Sequence, residues 1–210
     1  MTRVLIADDH EVVRRGLKQI LQDALGKLNL SEATTSQEAI DCVLKQPFDL
    51  VLLDINMPGR SGLDVLQEIM RLRPKTPVLM LSVAPEEDYA LRCLKLGAAG
   101  YLSKRSASDE LVTAVNKAMR GAKYVTPSLA EKLAAAISGD VPGAPHESLS
   151  NRELEVLRLI AAGKTIKEIA TELVLSEKTV ATYRTRLSEK MGLATNVELA
   201  RYAIQHHLTD

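Results

Sequence analysis

Short apolar runs recur along the first 125 residues at Val4–Ala7, Leu50–Leu53, Val78–Leu81 and Gly100–Ser103, each followed by a longer amphipathic stretch. The second and third are continuous rather than alternating, as strands covered on both faces are. The stretches between them carry helical spacing. Val12, Val13, Leu17, Ile20 and Leu21 form the first, and a helix from Ser36, its N-cap, to about Lys45 forms the second. Leu63, Leu66, Ile69 and Met70 follow a Gly-rich turn at residues 57–62. Two more helices are expected, from about Glu87 to Leu96, ended by Gly97, and from Ser108 to Arg120. A weaker, polar strand fits Leu30–Ala33. Five strands alternating with five helices imply a parallel sheet covered by helices on both faces. Right-handed crossovers then bring every strand's C-terminal end to one edge, where such sheets bind ligands.

The polar residues of interest fall at that edge. Asp8 and Asp9 follow the first strand, Asp54 the third, Ser82 the fourth and Lys104 the fifth. Three converging carboxylates repel one another unless a cation neutralises them. Mg²⁺ suits such an oxygen-rich set, usually in company with a phosphate. Asp54 would then be a nucleophile for a phosphoryl group, giving an aspartyl-phosphate, with Lys104 and the metal neutralising phosphoryl oxygens and Ser82 bonding one. Singly, each residue has a plainer role: Asp8 as a helix cap, Ser82 bonding backbone, Lys104 as a solvated charge, Tyr101 as packing. The joint pattern favours the chemical reading.

Composition sets the remaining bounds. The chain has 210 residues, enough for two small domains, with 46% hydrophobic residues, 3% aromatics and no Trp, so its cores rest on Leu, Ile, Val and Ala. Equal numbers of acidic and basic side chains give no net charge, so local charge must decide any nucleic-acid partner. Cys42 and Cys93 match no metal or redox spacing and are expected as two buried, reduced thiols. Met1-Thr2-Arg3 runs straight into a strand, and no apolar run approaches the roughly 20 residues of a membrane span. The expectation is a soluble, cytoplasmic protein with no membrane partner.

A helix is expected from Pro127 to about Ile137, then a flexible linker from Gly139 to Ser148. From Leu149 the pattern is all-helical. Ser150 and Glu153 form a capping box before Val156, Leu157 and Ile160, and Gly163 ends that helix. Ile166, Ile169, Ala170 and Leu173 make a short second helix, and a tight turn through Ser176 leads to a third. On the third, Val180, Tyr183, Leu187 and Met191 share one face, and Lys178, Thr182, Thr185, Arg186 and Glu189 the other. Four basic side chains face two acidic ones between Ser176 and Gly192. That layout suits a major groove, but periodicity alone equally allows an ordinary bundle with a charged, solvated face.

Specific strings narrow the choice. LIADDH, VLLDINMPGRSG, the LS ending the fourth strand and LGAAGYLSK resemble the receiver domain of bacterial two-component response regulators. The resemblance implies a flavodoxin-like fold over residues 1–122, with Asp54 as phosphoacceptor. It makes Asp9 the direct ligand of Mg²⁺, Asp8 an acidic neighbour acting mainly through water, and the main-chain carbonyl of Asn56 the third protein ligand. Ser82 and Tyr101 match the switch pair, and Lys104 the phosphate-pairing lysine. Arg105 stands where many receivers have Pro, so the cis peptide often found there cannot be carried over, and Val83 stands where many have a smaller residue.

The string LSNRELEVLRLIAAGKTIKEIATELVLSEKTVATYRTRLSEKMG is similar to the LuxR-type helix-turn-helix, over about 149–208. Coupled to a receiver it marks the NarL/FixJ class. The resemblance implies an all-α, four-helix domain at 149–210, joined to the receiver by a helix and linker at 123–148. Lys178, Thr179, Thr182, Thr185, Arg186 and Lys190 become candidate DNA contacts. Ala181 and Tyr183 replace the family's usual Lys and His, so a known operator cannot be borrowed. The helix from Asn196 to about His206 matches the segment through which such domains pair, and His206 and His207 are expected as solvated ends rather than metal ligands. Implied partners are a sensor histidine kinase, double-stranded promoter DNA and a second copy when phosphorylated, with RNA polymerase a further candidate. In this family the unphosphorylated receiver often covers the recognition helix, and Tyr101 turns inward as Ser82 moves toward the phosphoryl group. The chain is then no enzyme beyond assisting its own phosphotransfer and autodephosphorylation. Two alternatives stand: a phosphorylation-independent transcription factor with a vestigial receiver, and an aspartate-nucleophile phosphohydrolase, whose commonest family wants a D-x-D that Asp8-Asp9-His10 lacks.

Overall fold

The computed structural model describes residues 1–58, 60–83, 86–104, 107–138, 144–206 and 208. They fall into two compact units, Met1–Ile137 and Ser138–Asp210. Gly59, Arg105, half of the expected linker (139–143) and His207 lie outside the described residues.

The first unit alternates β1 (Thr2–Ala7), α1 (Glu11–Leu25), β2 (Leu28–Ala33), α2 (Ser36–Lys45), β3 (Leu50–Asp54), α3 (Gly62–Leu72), β4 (Val78–Ser82), α4 (Glu86–Lys95), β5 (Gly100–Ser103) and α5 (Ala107–Met119), then α6 (Pro127–Ser138). The strands form one parallel sheet in the order β2-β1-β3-β4-β5. Every residue of β3 and β4 is buried, which is why their apolar runs do not alternate. Val4, Ile6, Leu50, Leu52, Leu79 and Leu81 pack with Leu17 and Leu21 of α1 and Leu111, Ala114 and Val115 of α5. Strand residues of opposite parity face α2, α3 and α4, since successive side chains point to opposite faces. Each buried Leu contributes roughly 1.5–3 kcal/mol relative to exposure. The edge strand β2 is polar at its middle and buries only Leu28 and Ala33, which made it the weakest strand in the sequence.

Register lines up the strand ends. Ala7 lies beside Leu53, Asp54 beside Leu81, and Ser82 beside Ser103. One glycine is required here. A Cβ on Gly62, the first residue of α3, would fall against the Asp54 carbonyl oxygen and 2.6 Å from the Ile55 Cα.

Three expectations need correction. Thr35, not Ser36, caps α2: its backbone is extended and its side chain accepts from Glu38 N at 3.2 Å. Ser36 is already helical, and its hydroxyl donates to Arg60 O at 2.5 Å, tying α2 to the loop after β3. Cys42 is only half-buried, though its thiol pKa is still raised by burial. Cys93 is fully buried, and that pushes its thiol up to about 12. Finally, the linker does not extend to Ser148. Pro145–Ser148 form a turn of 3₁₀ helix, with Pro145 supplying a preset φ and Ser148 Oγ donating to Pro145 O at 2.7 Å.

The second unit continues with α7 (Asn151–Ala161), α8 (Ile166–Glu172), α9 (Glu177–Met191) and α10 (Asn196–Gln205). Reciprocal capping boxes open three of them, through Ser150 and Glu153, Thr165 and Glu168, and Thr195 and Glu198. Ser176 caps α9, and Gly192 ends it in the left-handed region. Leu157, Ile160, Ile169, Val180, Leu187, Leu199 and Ala203 are buried in this unit.

Candidate functional site

At the C-terminal edge of the sheet, Asp8, directly after β1, and Asp54, the last residue of the neighbouring β3, are 0% and 1% exposed. Two carboxylates removed from water need a cation, and the loop after β5 supplies one. Lys104 Nζ lies 2.8 Å from Asp54 Oδ2 and 2.8 Å from Asp8 Oδ2. The lysine's backbone is fixed by its own N–H, which donates to Ser82 O at 2.7 Å. Asp8 is held on several sides: its N–H donates to Ala33 O at 3.0 Å, its carbonyl accepts from Arg14 at 2.8 Å, and its Oδ1 accepts from His10 N at 2.8 Å. Arg14 is in turn anchored by Glu32 at 2.9 Å.

Burial pushes the Asp54 carboxyl up to about 6, the Lys104 ammonium pulling it down and the Asp8 charge adding to the rise. Burial disfavours the charged form of Lys104, but Asp54 and Asp8 outweigh it, and its pKa ends above the ordinary value. Asp54 Oδ1 is buried and, among the described residues, accepts no hydrogen bond. One ligand atom from each of Asp8, Asp9, His10 and Asp54 lies within 4.8 Å of the others. An orphaned carboxylate oxygen beside two further carboxylates fits a hard divalent cation. Asp9 is the more open member, paired with His10 Nδ1 at 2.6 Å, and Asn56 is exposed.

Ser82 is fully buried and Tyr101 is 2% exposed. Tyr101 lies beside Met80, two residues before Ser82, so the tyrosine and serine share one face of the sheet. The tyrosine thus occupies an inward position. Val83, just beyond Ser82, is exposed.

In α9 the sequence's two faces separate. Val180 and Leu187 are fully buried, and Tyr183 and Met191 half-buried. Lys178, Thr182, Thr185, Arg186 and Glu189 are exposed, and Thr179 is half-buried with its hydroxyl 2.8 Å from Ser176 Oγ. Thr182 and Thr185 each donate to the carbonyl four residues back. The four basic residues divide. Arg184 donates to Asn196 Oδ1 at 3.1 Å and Ala194 O at 2.8 Å, and Lys190 bonds Glu153 Oε2 at 2.6 Å, so both knit the helices together. Among the described residues, Lys178 and Arg186 make no ion pair.

Comparison with known proteins places both halves. Residues 4–116 match the family described as response regulator receiver domain, and residues 147–203 match bacterial regulatory proteins, luxR family. The chain belongs to the response regulator family. This regulator is 37% identical to response regulator UvrY of Escherichia coli strain K12 over 209 residues, covering 99% of this chain and 96% of that protein. It is 34% identical to response regulator GacA of Pseudomonas aeruginosa over 211 residues, covering 100% and 99%. Among solved structures it resembles RcsB from Salmonella enterica serovar Typhimurium bound to promoter rprA in the presence of phosphomimetic BeF3−, with 28% identity, a TM-score of 0.65, and coverage of 96% of this chain and 97% of that one. The regulator is therefore a DNA-binding two-component response regulator, a transcription factor rather than a metabolic enzyme. Among the described residues, no helix is long and apolar enough to cross a membrane.

Sequence reasoning missed two residues of the acidic end. His10 directly follows the acidic pair in LIADDH, so adjacency was the available signal. Arg14 carried none, since its bond to the Asp8 carbonyl depends on how α1 docks beside β2.

Proposed function

We propose that Asp54 is the phosphoacceptor of this regulator and that its phosphorylation by a sensor histidine kinase controls pairing and promoter binding by the C-terminal helices. The observation that carries this reading is the Asp54 carboxylate itself: buried, held on Oδ2 by Lys104 at 2.8 Å, with no hydrogen-bond partner for Oδ1 among the described residues, and with an oxygen within 4.8 Å of the Asp8 and Asp9 carboxylates. The Asp8, Asp9 and Asp54 carboxylates and the Asn56 carbonyl would hold Mg²⁺. When bound, that ion neutralises phosphoryl oxygens and lowers the repulsion between donor and acceptor.

Asp54 attacks phosphorus with a carboxylate oxygen. A P–O bond forms, the donor's P–N bond breaks, and the electron pair leaves with the kinase imidazole. Lys104 is already within hydrogen-bond reach of the carboxylate, so its ammonium pairs with a phosphoryl oxygen as that group arrives. Ser82, at the adjacent strand end, supplies a hydroxyl to another. Movement of Ser82 and repacking of Tyr101 on the same sheet face carry the change away from the site.

In the output half, Lys178 and Arg186 hold phosphates while Thr179, Thr182 and Thr185 line the groove-facing side, with Lys190 as a further contact once released from Glu153. The receiver comprises 1–122, a helix, linker and 3₁₀ turn 123–148, and the DNA-binding domain 149–210. The regulator acts in the cytoplasm as a homodimer when phosphorylated, with RNA polymerase a further contact at the promoter. The test uses acetyl phosphate and Mg²⁺ with wild-type and Asp54→Ala protein, read by intact mass and by DNA mobility shift. Wild type should gain one phosphoryl group and tighter promoter binding, and the variant neither. Undiminished labelling of the variant would sink the assignment.

A further inference from the structure

We propose that His10 is a nitrogen ligand of the acidic end, letting this site select nitrogen-preferring divalent ions of the Ni²⁺ and Zn²⁺ class over Mg²⁺. The inference rests on the reading of that end as a cation site, and adds a donor to it. His10 Nδ1 lies 2.6 Å from Asp9 Oδ1 and 3.3 Å from Asp8 Oδ1. That nitrogen therefore already faces two of the carboxylates, and one ring nitrogen of His10 lies within 4.8 Å of the ligand atoms of Asp8, Asp9 and Asp54. The Asp54 carboxylate is buried, and its Oδ1 has no hydrogen-bond partner among the described residues.

The backbone sets this arrangement. His10 is the N-cap residue of α1, with an extended conformation, yet its side chain makes no capping bond. Its N–H is spent on Asp8 Oδ1 at 2.8 Å, which directs the ring back toward the acidic pair. The ring is 63% exposed, so small adjustments meet little steric resistance.

Oxygen donors alone suit Mg²⁺, which gains little from an imidazole. Ni²⁺ and Zn²⁺ gain much more from one nitrogen among oxygens. The same pocket thus holds Mg²⁺ through oxygens, or a nitrogen-preferring ion through those oxygens plus His10, and the two compete.

The test is calorimetric titration of full-length wild-type and His10→Ala protein with MgCl2 and with NiCl2. Only Ni²⁺ binding that saturating Mg²⁺ suppresses is scored, which removes ions held by His146, His206 and His207. The ratio of Ni²⁺ to Mg²⁺ affinity should fall about tenfold or more in the variant. An unchanged ratio overturns the inference while leaving the cation site intact. Absence of Mg²⁺ binding from both proteins overturns the cation-site reading and this inference with it. A second measurement needs no variant. In nitrogen-15 spectra of wild type, the His10 Nδ1 resonance should move much further on adding Zn²⁺ than on adding Mg²⁺, which disturbs it only through the carboxylates beside it, and a shift under Zn²⁺ no larger than under Mg²⁺ overturns the proposal.

Discussion

Asp54→Asn should make the fold more stable, because the carboxylate is costly to keep ionised where it stands. Its pKa rises from 3.8 to about 6, chiefly through burial. The native state then binds the proton more tightly than the unfolded chain between those values. Stability falls as pH rises across that window and remains lower above it. The difference corresponds to about 3 kcal/mol at neutral pH. Asparagine keeps the shape and removes the charge, while Lys104 retains Asp8 at 2.8 Å. Allowing for the weakened bond to Lys104, the variant should gain about 1–3 kcal/mol, or roughly 3–10 °C in the melting of the first unit. The assay is calorimetry of both full-length proteins in EDTA at about pH 7.5 and again at about pH 5. Hydrogen exchange of the β3 and β4 amides assigns the transition. At the lower pH the gap should shrink to about half, since wild type is then largely protonated when folded. Adding Mg²⁺ should narrow it from the other side by stabilising wild type more than the variant. A less stable variant at pH 7.5, or a gap that ignores pH, would refute the argument that burial dominates this carboxylate.

Other outcomes follow from the same geometry. Gly62→Ala should destabilise the first unit by about 2–4 kcal/mol in a urea titration, because the new Cβ meets the backbone of Asp54 and Ile55 rather than a side chain that can move. Arg186→Ala should weaken DNA binding and lower the slope of log affinity against log salt by about one, and an unchanged slope would place the residue away from the phosphate backbone. The Glu153 carboxyl is held below its ordinary value, burial being outweighed by Lys190 and Ser150. Its contribution is therefore present above about pH 4.5 and lost as pH falls through the lower, folded-state value. Glu153→Gln should lower the melting temperature of the second unit at neutral pH, with the difference closing in acid.

Much of this was legible in the sequence because it is encoded locally. Leu50–Leu53 reads as a covered strand, Ser150 with Glu153 as a capping box, and Gly163 as a stop. Thr35 and Ser36 were harder, since two adjacent hydroxyls can each cap a helix and the choice lies in one backbone dihedral. The division of the basic residues of α9 was not legible at all. Arg184 and Lys190 lie on the same helix as Lys178 and Arg186, and only the packing of α9 against residues 10 to 42 positions away shows them bound within the unit. In the acidic end, the strand-end Asp residues were readable from position. The sharing of one lysine between Asp8 and Asp54 required knowing that β1 and β3 are neighbours.

That shared lysine also gives the site a chronology. Asp8, Asp54 and Lys104 are made early, midway and late in synthesis of the first unit, and the parallel sheet joins them only after β5 has docked beside β4. A nascent or locally opened chain still carries the aspartate but not the ammonium beside it. If Asp54 is the acceptor proposed above, phosphotransfer is reserved for molecules that have completed their sheet, and the signal reaches DNA only through regulators that have passed a structural inspection of their own.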